Sequence, residues 1–251
     1  MIKYFRRIRY KLMSENKTSR YFKYAIGEII LVMIGILLAL GISNWNEDRL
    51  SDQRELVYLK NLRDDLQNNI KILNEIDSVY TLKENETTRG IELFKNNPSI
   101  YDFKLIDSLI DTRWMTFPVS RSTFNEMLNN GSFYSLKNKT LKDEIDNHYL
   151  LAQRFESAFR EINSNGQDIT YNPNIYPLEL LKDHLNESPI NLSDIDTSWI
   201  HNPNSPMYSG FYRVAAFYKQ TNNIRLRIVG QFSNSCKALI ETINNELKNR
   251  D

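Results

Sequence analysis

The sequence predicts a mainly α-helical chain: one N-terminal transmembrane helix, then a helical-bundle exterior domain with long helices and a Pro/Asn-rich connection. Three observations predict it. An uncharged apolar run, IILVMIGILLALGI, extends from Ile29 to Ile42. Apolar side chains then recur at alternating spacings of three and four through most of the remaining chain, the period of a helix with one buried face. Gly and Pro, at 8 and 7 of 251 residues, are too few to interrupt helices often.

Residues 1–23 read as a basic amphipathic cytoplasmic segment. They carry eight Lys and Arg against the single acid Glu15. On a helical wheel Ile2, Phe5, Ile8 and Leu12 share one side, and Lys3, Arg6, Arg7 and Lys11 share the other. Such a segment suits an anionic leaflet. Residues 24–45 form the predicted span, about 20 residues and therefore about 30 Å of helix, the thickness of a bilayer core. Because Lys and Arg beside a span stay on the cytoplasmic side, the N-terminus is expected inside and residues 46–251 in the periplasm. Tyr24 and Trp45 mark the two interfaces, where amphipathic rings settle. Ala39-Leu40-Gly41 offers the small residues of a signal-peptidase site. However, the apolar core runs past it to Trp45, which favours a retained anchor.

Two features of the span invite function. Glu28 lies one turn inside the apolar segment. It reads either as an interfacial carboxylate reaching headgroups, Lys23 or Arg20, or as a proton or ion group. Gly35, Ala39 and Ser43 share one helix face, with Gly27 extending it, and small residues so spaced allow close helix–helix approach in lipid. A homo-oligomer through this face is one expected partnership.

The exterior sequence gives its helices in order. The first is expected from Trp45 to Asn96, with Leu59, Leu62, Leu66, Asn69, Leu73, Ile76 and Tyr80 forming a heptad seam with one polar position. This seam is either a helix face within a bundle or a second route to a homo-oligomer. Asn96-Asn97-Pro98 ends it. A shorter helix is expected over Tyr101–Thr112, with Phe103, Ile106 and Ile110 inward. Another begins at Ser122, capped by its hydroxyl, and stops at Asn129-Asn130-Gly131. A further helix is expected over Asn138–Asn163, buried along Leu141, Ile145, Tyr149, Ala152, Phe155 and Phe159. Residues 166–206, rich in Pro and Asn, read as a long irregular connection with a helical turn near Leu178–His184. The last helix is expected over Tyr208–Lys248, facing inward with Phe211, Val214, Phe217, Thr221, Ile224, Ile228, Phe232, Cys236, Leu239, Ile243 and Leu247.

Composition excludes some functions. The exterior carries a small net negative charge, which argues against a nucleic-acid partner. Cys236 is the only cysteine, so no intramolecular disulfide can form. No catalytic, cofactor-binding or metal-binding residue is assigned. His148, His184 and His201 lack metal-ligand spacing, and neither a glycine-rich phosphate loop nor a Gly-x-Ser-x-Gly elbow occurs. Paired carboxylates such as Asp64-Asp65 read as solvated helix faces. The dense aromatic set Trp114, Phe117, Phe124, Phe133 and Tyr134 is the candidate ligand or partner loop, against the plainer reading that it caps a bundle core.

The opening MIKYFRRIRYKLMSENKTSRYFKYAIGEIILVMIGILLALGISNWNEDR resembles the N-terminal signature of an uncharacterised family of Bacteroidota single-pass membrane proteins, domain of unknown function 6090. STFNEMLNNGSFYSLKNKTLKDEIDNHY is similar to its central motif, and ALIETINNEL, more weakly, to its C-terminal helix. The resemblance implies a one-span topology and an envelope location. It implies no activity, ligand or catalytic residue. The expected function is therefore a membrane-anchored periplasmic binding or interaction module, acting on another envelope protein or a small ligand. The alternatives are an envelope hydrolase using loop carboxylates and a structural oligomeriser.

Overall fold

A computed structural model describes Tyr10 and residues 18–110, 112–172 and 196–250. The described residues form five α-helices and two 3₁₀ turns, with no strand among them. We label the helices α1 (Thr18–Lys95), α2 (Phe103–Leu109), α3 (Ser122–Asn129), α4 (Lys139–Thr170) and α5 (Pro206–Arg250). The 3₁₀ turns are Ile100–Asp102 and Ser198–His201. By contacts the chain divides into two units, Met1–Val57 and Tyr58–Asp251.

In the first unit, the predicted span and the start of the next predicted helix both lie within α1. Its most apolar stretch has a mean hydropathy of 2.6 and none of it is buried, so α1 is long and apolar enough to cross a membrane. Ile29 and Ile42 are each 67 % exposed. A side chain added at Gly35 would meet nothing within 4 Å, so the small-residue face is open. The Trp45 ring carries the Arg49 guanidinium at 5.9 Å. The basic residues Lys3, Arg6, Arg7 and Lys11 lie outside the described residues, as does the Tyr24 side chain.

The second unit is organised on one edge of α1. Leu59, Leu62, Leu66, Asn69, Leu73, Ile76 and Tyr80 are each no more than 1 % exposed, as the heptad spacing predicts. The same edge continues through Lys83, Thr87, Ile91 and Phe94, all buried. The chain's own side chains thus cover the whole seam. α1 ends at Lys95, and Asn97 takes φ +59°, a left-handed conformation that Asn tolerates better than most residues. α2 is shorter than predicted and stops at Leu109, but Phe103, Ile106 and Ile110 are buried as expected.

The start of α3 differs from the prediction. Ser122 is already helical, the N-cap position is Arg121, and no side chain of that residue caps the helix. The Asp65 carboxylate of α1 does so instead. Its Oδ2 accepts the Thr123 N–H at 3.0 Å, and its Oδ1 accepts the Ser120 hydroxyl at 3.2 Å. Asn69 fixes the same strand of chain, accepting the Ser120 N–H at 2.8 Å and donating to its carbonyl at 3.3 Å. Asp65 is therefore no idle surface carboxylate: it satisfies an orphan N–H and places negative charge at a helix N-terminus. The predicted stop holds, with Gly131 at φ +79° and the Phe133 N–H returning to the Met127 carbonyl at 3.1 Å.

α4 is capped by Asn138, whose side-chain oxygen accepts the Leu141 N–H at 3.1 Å. It runs to Thr170, seven residues past the predicted end at Asn163. Packing against α5 sustains those extra turns. Thr170 Oγ1 lies 3.1 Å from the Tyr218 hydroxyl, and a Cβ on Gly166 would stand 3.0 Å from that same oxygen. The expected irregular connection over 166–206 is accordingly narrower. Residues 166–170 are helical, Trp199 and Ile200 are buried in a 3₁₀ turn, and Pro206 opens α5. Residues 173–195, with the expected turn near Leu178–His184, lie outside the described residues.

α4 and α5 pack along one another. One aromatic cluster joins α1, α2, the second 3₁₀ turn and α5. In it the Phe94 and Phe211 ring centroids are 4.5 Å apart, Phe103 and Phe211 4.8 Å, and Phe103 and Trp199 5.1 Å. Along α5 the buried face includes Tyr218, Asn222 and Arg225, where the apolar pattern pointed to Phe217 and Ile224, which are half-buried.

Asp65→Ala is expected to destabilise the domain by about 1 kcal/mol, the usual worth of a helix N-cap. Hydrogen exchange should show the loss concentrated at the Thr123 amide, and an unchanged exchange rate there would refute the capping role.

Candidate functional site

A concavity of about 580 Å³ lies between the end of α1 and the first half of α5. Ile91, Ala216 and Ile224 supply its apolar lining, and Tyr212, Gln220 and Asn223 add polar groups. Its charges are all positive: Lys95 from α1, and Lys219 and Arg227 from α5. Lys219, Asn223 and Arg227 follow one another at helical spacings of four, so they form a row along α5. The Lys95 ammonium stands 5.3 Å from the Tyr212 ring centroid. None of the three cations is ion-paired with a carboxylate among the described residues. By contrast, Arg121 pairs with Glu156 at 2.8 Å, and Arg250 with Glu246 at 3.5 Å.

Behind the surface, the core holds an unusual polar layer. Arg225 is 1 % exposed. Its Nη2 donates to Asn163 Oδ1 at 2.9 Å, and its Nη1 to Asn222 Oδ1 at 3.3 Å and Thr221 Oγ1 at 3.4 Å. The guanidinium lies over the Tyr80 ring, 5.2 Å from its centroid. Asn163 also donates to the Met115 carbonyl at 3.2 Å, while the Tyr80 hydroxyl accepts the Met115 N–H at 3.2 Å. Lys83 donates to the Arg113 carbonyl. These bonds tie the irregular segment around Met115 to α1 and α4, and through Asn163 to Arg225 of α5. Burial lowers the Arg225 pKa, a cost offset in part by the electron-rich Tyr80 and Tyr218 rings nearby.

The predicted aromatic set does not converge on one surface. Phe117, Phe124 and Phe133 are buried. Phe124 stacks on Tyr149 at 4.1 Å, Phe117 packs on Phe159 at 4.9 Å and on Phe232 at 5.4 Å, and Phe133 meets the edge of Phe124 at 5.3 Å. Trp114 is half-buried, and only Tyr134 is fully exposed, near the Lys142 ammonium at 5.4 Å. Three of the five therefore fill the core, which is the plainer of the two expectations.

His148 Nδ1 lies 2.8 Å from Ser235 Oγ, a pairing that resembles a base beside a nucleophile. The ring is 3 % exposed and stacks on Phe232 at 4.7 Å, and its Nε2 has no partner. Burial holds its pKa down to about 4, with the nearby Arg121 acting in the same direction. Among the described residues no carboxylate hydrogen-bonds the imidazole, the partner that orients the base in a Ser-His-Asp triad. Burial likewise raises the Cys236 thiol to about 12, outside the range of a nucleophile. Among the described residues no three His, Cys, Asp or Glu side chains gather as a metal site. Asp196 accepts the Ser198 N–H at 2.9 Å, and His201 is exposed.

A family of unknown function (DUF6090) matches residues 28–167, more than half of the chain. The chain belongs to this family. No curated protein and no solved structure matches it. The matched segment runs from Glu28 through the α1 seam, the Asp65 and Asn69 contacts, α3 and most of α4. Lys95 falls inside it, whereas Tyr212, Lys219 and Arg227 fall outside, so the family match covers only one wall of the groove. Sequence reasoning missed the groove because Lys95 is separated from Lys219 and Arg227 by more than a hundred residues and each alone reads as solvated surface.

His148 has a lower pKa folded than unfolded, so the unfolded chain takes up the proton first. Stability is expected to fall as pH drops from 6.5 toward 4. His148→Gln should flatten that part of the profile, measured by urea unfolding across this range. An unaltered slope would show that other groups set it.

Proposed function

We propose that the protein is a membrane-anchored binding module. In this reading α1 crosses a bacterial inner membrane once, residues 1–23 stay in the cytoplasm, and the remaining helices form a periplasmic bundle. The exposed apolar stretch of α1 and the strongly basic residues before it support the placement. The resemblance to a Bacteroidota single-pass family agrees with it.

One observation carries the binding role: a concave groove with three cations and, among the described residues, no carboxylate in its lining. Folded surfaces normally intersperse both signs, so an unmatched cluster in a concavity favours an external anionic surface or ligand. A structural oligomeriser built on the Leu59–Tyr80 seam would have to open that buried core first. The open face at Gly35, Ala39 and Ser43 leaves a second copy in the membrane as a compatible partner. The hydrolase alternative has the His148–Ser235 pair in its favour, but the low basicity and burial of that imidazole weigh against it.

A reporter active only outside the cytoplasm, fused after Arg250, should be active. The same reporter fused at the N-terminus should be silent, and the reverse pattern would overturn the orientation. A photo-crosslinking residue at Asn223 in the full-length chain should give a discrete adduct in native membranes, whereas one at Leu150 on exposed α4 should give none. Equal labelling at both positions would sink the groove as the recognition surface.

A further inference from the structure

We propose that the α1–α5 groove binds a phosphate monoester carrying a short apolar group. The proposal rests on the binding-module reading and adds the chemistry of the ligand. Lys95, Lys219 and Arg227 bring three positive charges to one concavity of about 580 Å³. Like charges so gathered repel one another, and an anion that enters relieves the repulsion as well as forming new bonds.

The groups present select among anions. Arg227 offers a planar fork that matches two oxygens of a phosphate, and the two ammonium groups add point charges for the second negative charge of a monoester. Asn223 on this row of α5, and Gln220 beside it, can donate to the ester or remaining phosphate oxygens. The row from Lys219 to Arg227 spans about 12 Å of helix, longer than one phosphate, so it accommodates an elongated ligand. Ile91, Ala216 and Ile224 supply an apolar surface beside the charges, suited to a few carbons and wasted on an inorganic ion. The Lys95 ammonium is held near the Tyr212 ring, which limits the ordering required on binding.

A phosphate monoester of this kind has two sources: a free soluble compound, or the headgroup of phosphatidic acid. The full-length chain in phosphatidylcholine nanodiscs separates them. Butyl phosphate titrated into these discs is expected to bind saturably, and at least tenfold more tightly than inorganic phosphate. Discs containing phosphatidic acid, without soluble ligand, report the lipid source through a protein-dependent shift of the lipid's own phosphorus resonance. A response in either arm supports the proposal and assigns the source. Lys95→Gln and Arg227→Gln should each weaken binding about tenfold, the scale of a lost charge-assisted hydrogen bond, while leaving the melting temperature of the unliganded chain unchanged or raised. Silence in both arms, or affinity indifferent to both substitutions, would overturn the phosphate assignment. If the Asn223 crosslink persisted in that case, the binding module would stand with a different ligand.

Discussion

The burial of one edge of α1, from Leu59 to Phe94, is the interaction on which the second unit depends. Eleven side chains at spacings of three and four line that edge, and the other helices are held through them. Phe94 enters the aromatic cluster shared with α2 and α5, Tyr80 takes the Phe159 ring of α4 edge-on at 6.2 Å, and Asn69 with its neighbour Asp65 fixes the approach to α3. Each buried Leu contributes about 2–3 kcal/mol. That gain must offset the ordering entropy of a fold without any disulfide.

Polar groups interrupt this apolar edge; the Thr87 hydroxyl finds no hydrogen-bond partner among the described residues, but the larger ones each meet a specific partner. Asn69 pairs with the Ser120 backbone, Lys83 with the Arg113 carbonyl, and Arg225 reaches across from α5 to Asn163 and the Tyr80 face. A buried cation costs several kcal/mol in desolvation, and amide oxygens with an aromatic ring recover only part of it. What the layer adds is position. The segment around Met115 has no regular structure of its own, and its backbone groups are satisfied by side chains from two helices, α1 and α4.

Where hydrophobic periodicity alone determined structure, the sequence was legible. The α1 seam, the buried residues of α2, the glycine stop after α3 and the long α5 all follow from the spacing of apolar residues and from turn chemistry. The misreadings share a physical cause. Asp65 and Arg225 are charged, so a search for apolar stripes assigns them to solvent, although partners remote in sequence, Thr123 and Asn163, hold them in place. The extra turns of α4 depend on Tyr218, which is remote in sequence and meets the bare backbone at Gly166. Phe117, Phe124 and Phe133 looked loop-borne, yet the chain folds them inward onto α4 and α5. The groove was illegible because neither Lys95 nor Arg227 marks a site until two distant helices lie side by side.

The spacing of polar residues along α1 also gives the helix an address. An edge made only of leucines would pack almost equally well after sliding by one heptad, since every seventh position would again be apolar. Here such a slide would carry Asn69 into the place of Ile76, and Lys83 away from the Arg113 carbonyl that receives it. The unpaired groups would cost several kcal/mol, a large share of the stability of a domain this size. The edge thus works as a ruler as well as a glue, and it admits one alignment of the helix among several that hydrophobicity alone would accept.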